Sequence, residues 1–329
     1  MNYRKFGNTD LLVSEIGFGA WAIGGNAMVG NIPIGWGNTN DDESIAALSA
    51  AITAGVNFID TADFYGLGHS EELIGKLFGS NKDVIIATKV GHRNIDEKIV
   101  FDYTAEYIFS ACEKSLKRLK RDVIDYYQLH TARMNHLENG ECIEAMELLK
   151  KQGKIRYWGL SLNTFYPMPE AEFLMQRQLG SGFQLVFNLI NQRAFDVMKA
   201  ASRAGYGLIA RMPLQFGLLT GKIKTDARFE PGDHRSFRLI PPIIDKATRI
   251  LDNNVWPIAE QKHINKSSLA LSYILSHPEI STVIPGIRTV EQVKQNTTDI
   301  LQLEDDVVKQ LDGLKSDFAG LMELMEQQG

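Results

Sequence analysis

Short apolar runs alternate along the chain with longer stretches whose apolar residues recur at helical spacing. The runs at 16–20, 56–62, 84–89, 123–130, 155–161, 183–188, 206–211 and 282–285 are mostly continuous rather than alternating. Such runs predict strands buried on both faces, hence a parallel sheet covered by helices. Between them, helices are predicted at 44–54, 70–78, 105–119 and 142–152. Asp41-Asp42-Glu43 and Ser70-Glu71-Glu72 place acids and a capping hydroxyl where a helix start favours them. Strand–helix steps with no long linker predict an α/β fold closed into a (β/α)8 TIM barrel, one domain over residues 1–329. A length prior of ~150 residues per domain would instead cut the chain into two small α/β domains.

Two segments fall outside the repeat. Residues 3–14 read as two short strands around Gly7-Asn8-Thr9-Asp10, an N-terminal β-hairpin able to plug the barrel floor. Residues 213–242 form a long loop after strand seven, with Gly217, Gly221, Pro231 and Gly232 and the basic group Arg228, His234, Arg235 and Arg238. It could clamp a ligand, but the simpler reading is a solvated loop.

Composition narrows the class without naming a chemistry. The chain has 329 residues, 44% of them hydrophobic, with 35 Lys+Arg against 40 Asp+Glu and a net charge of −5. Disordered, collagen-like and disulfide-scaffold classes are excluded, and the acidic balance argues against a nucleic-acid partner. Cys112 and Cys142 alone supply neither a disulfide framework nor a metal cluster, so the cytoplasm is the expected compartment. The N-terminus lacks the apolar stretch of a signal peptide, and no apolar run of ~18 residues predicts a membrane span.

The chemistry is at the strand ends, where a parallel barrel keeps it. Strand two ends in Asp60, strand three in Lys89 and strand four in His130, with Tyr65 five residues beyond Asp60. Neighbouring strands run ~4.8 Å apart, so these four side chains should converge. A phenol with a pKa near ~10 is a weak acid, and a cation against its oxygen makes proton donation easier. Lys89 would supply that cation, Asp60 would hold Lys89, and His130 could donate a hydrogen bond to a substrate oxygen. No side chain accepts electrons, so a redox reaction requires a cofactor. Taken singly, Asp60–Lys89 could be a structural ion pair, His130 a structural histidine and Tyr65 a surface residue.

These residues carry a family resemblance over most of the chain. Gly17-Phe18-Gly19-Ala20-Trp21, the segment from Phe58 through Asp60, Asp63 and Tyr65 to Gly66, Gly68 to Gly75, Ala87-Thr88-Lys89 and Gln128-Leu129-His130 together resemble the aldo-keto reductases. The resemblance implies a barrel oxidoreductase using NADPH (NADP+), with Tyr65 as general acid, Asp60 and Lys89 tuning it and His130 orienting the carbonyl. It also implies that Ser161, Asn163 and Gln184 hold the nicotinamide amide. Pro213, Leu214, Gly217, Leu219 and Lys222 would form the pyrophosphate loop, and Gly286, Arg288, Gln292 and Asn296 the adenosine end, with Arg288 on the 2′-phosphate. Trp21 and Phe64, with Trp36, would line the substrate pocket. The usual Ser-Asn pair is split here as Ser161-Leu162-Asn163. Arg211 stands where many members place an aromatic against the nicotinamide, and is expected to pack beside the cofactor.

The leading expectation is therefore reduction of a small aldehyde, ketone or sugar-like carbonyl, or oxidation of the corresponding alcohol. The first alternative is a cofactor-sensing regulatory module on the same barrel, a reading that auxiliary subunits of potassium channels suggest. A metal-dependent barrel enzyme would need more ligands than Asp60 and His130 at the strand ends, and no metal is expected. Gly17-x-Gly19 and Gly24-Gly25 do not make a dinucleotide fingerprint, because no helix is predicted before Asp41.

Overall fold

A computed structural model describes residues 1–328 except Trp36, Asn38, Pro231 and Gly232, so the expectation for Trp36 lies outside the described residues. Eight parallel strands follow one another around the barrel in chain order. They are Phe18–Gly19, Phe58–Asp60, Ile85–Val90, Ile124–His130, Ile155–Ser161, Gly182–Val186, Gly207–Arg211 and Thr282–Ile284, the first to eighth barrel strands. Parallel bridges from Ile16 to Val283 and from Gly19 to Gly286 close the seam. Gly19 is required there: a Cβ would lie 2.8 Å from the Pro285 carbonyl oxygen.

Side chains alternate along each strand, so every second residue faces the barrel interior. In the lower layers Phe58, Ile85, Ala87, Tyr126, Ile209 and Ile284 pack with Phe6, Leu11 and Val13. Those last three come from the expected hairpin, whose strands are Tyr3–Lys5 and Leu12–Ser14. The Phe6 ring seals the floor against Phe58 and Tyr126, at 6.5 and 4.9 Å between centroids. Outward residues such as Ile59, Ile86, Tyr127, Leu129 and Leu160 join the larger core beneath the helices. Apolar below and polar above, the barrel interior sets its chemistry at the C-terminal mouth.

The strands begin or end within a few residues of the expected runs, and two helix starts shift. The first helix is Asp41–Thr53, because the Asn40 side chain caps it by accepting from the amides of Asp42 and Glu43. The second is His69–Phe78, so Ser70 is no cap; its hydroxyl is buried against Thr61 Oγ1 and the Ala20 carbonyl. Two small hairpins without a counterpart in the sequence reading rise over the mouth: Met28–Val29 with Ile32–Pro33, and His92–Ile95 with Lys98–Phe101. Among the described residues no helix is long and apolar enough to cross a membrane.

Candidate active site

The expected four side chains meet at the mouth. Lys89 is fully buried, and its ammonium donates to Asp60 Oδ2 at 2.6 Å, to the Thr61 carbonyl at 2.8 Å and to Tyr65 Oη at 3.1 Å. Burial by itself would lower the Lys89 pKa, but the negative charge of Asp60 and the Tyr65 oxygen outweigh it and the net shift is upward. The other carboxylate oxygen, Asp60 Oδ1, accepts from Gln128 Nε2 at 3.1 Å and Gln184 Nε2 at 2.7 Å. A buried charge pair persists only when its remaining lone pairs are satisfied, and the two glutamines do this for Asp60. Gln128 was not singled out from the sequence, although it stands two residues before His130 and so shares its inward face.

Tyr65 owes its position to a short 3-10 turn, Tyr65–Gly68, that leaves the second barrel strand. Gly66 has φ 62°, and a Cβ on it would fall 2.0 Å from the Gly24 carbonyl oxygen. This backbone-to-backbone contact presses the turn against the loop after the first strand. The Trp21 ring then sits 6.3 Å from Tyr65, and the His130 ring meets Tyr65 edge-on at 6.0 Å.

His130 ends the fourth strand beside Ser161. Burial, and then the neighbouring His92 ring and the charges of Lys89 and Arg211, push its pKa well below the usual imidazole range, so it is neutral at pH 7. Its Nδ1 is buried with no hydrogen-bond partner among the described residues. Arg211, at the end of the seventh strand, donates through Nη2 to the Leu162 carbonyl at 3.2 Å and to Thr164 Oγ1 at 3.1 Å. Burial lowers its pKa to about 10 against the opposing pull of Tyr65 and Asp60, and its Nε is buried without a partner among the described residues. A cation that remains charged at neutral pH thus faces the tetrad from across the mouth.

The remaining expected residues divide by what already occupies their hydrogen-bonding groups. Ser161 is buried at the end of the fifth strand and Asn296 in the helix Val290–Thr297, and neither side chain makes a hydrogen bond to another described residue. Asn163 is engaged in its own turn, its Oδ1 accepting from the amides of Phe165 and Tyr166 at 2.8 and 3.1 Å. Gln184 gives one amide N–H to Asp60, keeping its oxygen and a second N–H for another group. Gln292 Oε1 accepts from the Arg288 amide at 2.8 Å and so shapes the loop ahead of the helix. Pro213, Leu214, Gly217 and Leu219 lie in or beside the turn Gln215–Thr220, with Gly217 at φ 98°. Lys222 Nζ donates to Gln295 at 3.0 Å, joining this loop to the helix that carries Gln292 and Asn296. Gly286 is exposed, and a Cβ added there would meet nothing within 4 Å.

The pocket wall differs from expectation in two places. Phe64 is 8% exposed and packs with Val29 and Ile34, so it backs the small hairpin as much as it lines an opening. The 213–242 loop is not simply solvated. Arg228 is exposed in part, but His234 is 2% exposed and packs edge-on against Trp21 at 4.6 Å and Phe216 at 5.1 Å. Apolar partners above Trp21 draw this part of the loop over the mouth, which the basic sequence of the segment conceals.

A closed parallel barrel with a phenol, a buried lysine–carboxylate pair and a neutral imidazole at its mouth defines a class of barrel oxidoreductase. The aldo/keto reductase family model matches residues 15–316. The chain belongs to the aldo/keto reductase family. It is 31% identical over 299 residues to the uncharacterized oxidoreductase YqkF of Bacillus subtilis, covering 90% of each chain. It is 30% identical to L-galactose dehydrogenase of Arabidopsis thaliana, covering 92% of this chain and 88% of that one. Among solved structures, the glycerol dehydrogenase of Gluconobacter oxydans superposes with a TM-score of 0.81 at 28% identity, covering 97% and 96%.

Proposed function

We propose that the chain is an NADP(H)-dependent oxidoreductase that interconverts a small aldehyde, ketone or sugar-like carbonyl and its alcohol, with Tyr65 as the general acid. The observation that carries this reading is the Lys89 ammonium, shared between Asp60 at 2.6 Å and Tyr65 Oη at 3.1 Å. A structural ion pair would not need a partly open phenol as a third partner.

The residues fit a nicotinamide dinucleotide. Ser161 and Asn296 present unengaged polar groups, Gly286 leaves its surroundings open, and Arg288 sits at the start of a capped helix where phosphate is favoured. Ser161 and Gln184 Oε1 would hold the carboxamide, Lys222 the pyrophosphate side and Arg288 the 2′-phosphate. When bound, such a cofactor supplies the hydride that no side chain can.

The chain's own part is proton transfer and orientation. Neutral His130 donates from Nε2 to the carbonyl oxygen and brings it toward Tyr65. Tyr65 gives its proton to that oxygen, and the phenolate left behind faces the Lys89 ammonium. Asp60 keeps Lys89 fixed and charged throughout. In the alcohol-oxidising direction the same groups act in reverse. The names of the glycerol and L-galactose dehydrogenases favour polyhydroxylated substrates, and the Trp21 ring suits both an apolar wall and a sugar face.

Initial rates with glyceraldehyde, simple aldehydes, ketones and aldoses against NADPH and NADH test the assignment, alongside Tyr65→Phe. The variant should bind NADPH as the parent does and lose carbonyl reduction; retained kcat would remove the general-acid role. Tight NADPH binding without turnover of any carbonyl would favour the cofactor-sensing module instead.

A further inference from the structure

His92 has no task in the chemistry above, yet it is built into the site. It opens the hairpin that follows the third barrel strand, and its ring lies flat on His130, with centroids 4.0 Å apart and planes at 11°. Edge contacts with Phe64 at 5.6 Å and Phe101 at 4.9 Å confine it from other sides. Its Nε2 is 3.1 Å from Thr131 Oγ1. The Thr131 hydroxyl is itself 2.6 Å from the His130 carbonyl oxygen, a separation that requires its single proton to be donated there. The Thr131 oxygen must then accept from His92, which fixes the His92 proton on Nε2. Tyr103 Oη donates to the same carbonyl at 2.5 Å, and Thr131 is held at φ 64°, an uncommon conformation for a β-branched residue.

A functional imidazole is usually oriented by a hydrogen bond to its second nitrogen. His130 has no such bond among the described residues, because its Nδ1 is buried without a partner. Its ring plane must therefore be set by packing, and the face that packs on it most closely is His92. We propose that His92, anchored by Thr131, is the positioning residue for His130, holding the imidazole plane so that Nε2 points into the mouth. This inference rests on the reading of His130 as the group that orients the substrate oxygen.

The pairing also suits two neutral rings. Burial, opposed by a hydrogen bond to the His130 backbone and aided by the Lys89 charge, lowers the His92 pKa to about 4. The groups facing His130 are His92, Lys89 and Arg211, with the Tyr65 ring at its edge, so protonation of either histidine would add a cation to a cationic surround.

The test is a double-mutant cycle in the full chain: His92→Ala and His92→Phe, each alone and with His130→Ala. NADPH Kd, read by fluorescence quenching, and the NMR titration of the His130 ring give readouts independent of turnover. His92→Ala should lower kcat by about 10- to 100-fold, the scale of a misplaced catalytic group, with NADPH Kd unchanged. His92→Phe keeps a flat ring and should recover most of that loss. In the His130→Ala background His92→Ala should cost nothing more, and in His92→Ala alone the His130 titration should move up toward the ordinary 6.5. An equal loss in both backgrounds, or an unmoved His130 titration, would overturn the proposal. Full activity in His130→Ala would instead remove the carbonyl-orienting reading, and the NMR titration would still decide whether His92 holds the ring.

Discussion

Replacing Lys89 by Met separates what the buried lysine does for folding from what it does for turnover. Methionine fills a similar volume without charge, and the site it enters is fully buried. The substitution leaves the Asp60 carboxyl in the interior without its cation, with only the amides of Gln128 and Gln184 for company. Removing one member of a buried pair costs about 3–5 kcal/mol. The catalytic loss is set by the 3.1 Å contact between the ammonium and Tyr65 Oη. At an effective dielectric near ~20, opposite unit charges at that separation attract by roughly 5 kcal/mol, an upper value for the help given to a phenolate. Loss of about 4 kcal/mol of it is a thousandfold in rate. Adding Asp60→Asn removes the stranded carboxylate, so the double variant should regain most of its stability and none of its kcat. Urea unfolding without cofactor and steady-state carbonyl reduction measure the two quantities. A single variant as stable as the parent, or a double variant with restored kcat, would refute this account of Lys89.

Arg288→Ala should weaken NADPH by at least tenfold more than NADH; equal loss for both cofactors would exclude a 2′-phosphate contact. Arg211→Ala removes the bonds to Leu162 and Thr164 at the end of the fifth strand and should weaken cofactor binding, so unchanged Kd and kinetics would show that it does not pack beside the cofactor. Acid should destabilise the fold as pH falls below 6.5, because His92, His130 and His234 stay neutral when folded and take up protons on unfolding, while Asp63, whose pKa burial raises, works in the opposite direction. Unfolding free energy measured from pH 7 to 4.5 should fall as the pH falls, and His92→Phe should make that fall shallower; an unchanged slope would refute the histidine account. At the alkaline end, Lys89 has a raised pKa, so its contribution is fully present below 10.5 and is lost only as pH rises through the higher folded value.

The barrel was legible because its strands are buried on both faces. An apolar run of that kind needs no alternation to be seen, and Ile155–Ser161 matches its expected limits residue for residue. The hairpin His92–Ile95/Lys98–Phe101 was not legible, and its turn explains why. Asp96 and Glu97 occupy it with φ 48° and 59°, where Asn-Gly or Asp-Gly would have announced a tight hairpin. The polar strand Arg93-Asn94 and the exposed Phe101 complete the disguise, since one face of the hairpin meets solvent and the other the mouth. Helix starts shifted for a related reason. Ser70 has the chemistry of a cap, and nothing local to it reveals that Thr61 and Ala20 will claim its hydroxyl.

The same limit governs the site. Asp60, Lys89 and His130 could be read because inward-facing strand ends are fixed by period two, and that rule extends to Gln128. His92 and His234 come from segments whose approach to the mouth depends on tertiary packing, so no spacing in the chain points to them. Residue type is an even weaker guide for the amides. Asn163, Gln184 and Gln292 each stand at a position where the family would offer a hydrogen bond to cofactor, yet each already gives one of its polar atoms to the chain itself. Asn163 and Gln292 keep their NH2 groups, and Gln184 keeps its oxygen and a second N–H, so each can still offer a ligand part of its hydrogen-bonding capacity. Ser161 and Asn296 carry no such prior engagement, so their polar groups are free to meet a ligand without breaking a bond within the chain. Their alanine variants should therefore lose more cofactor affinity than those of Asn163 or Gln292, whose first effect is on the turns they hold together.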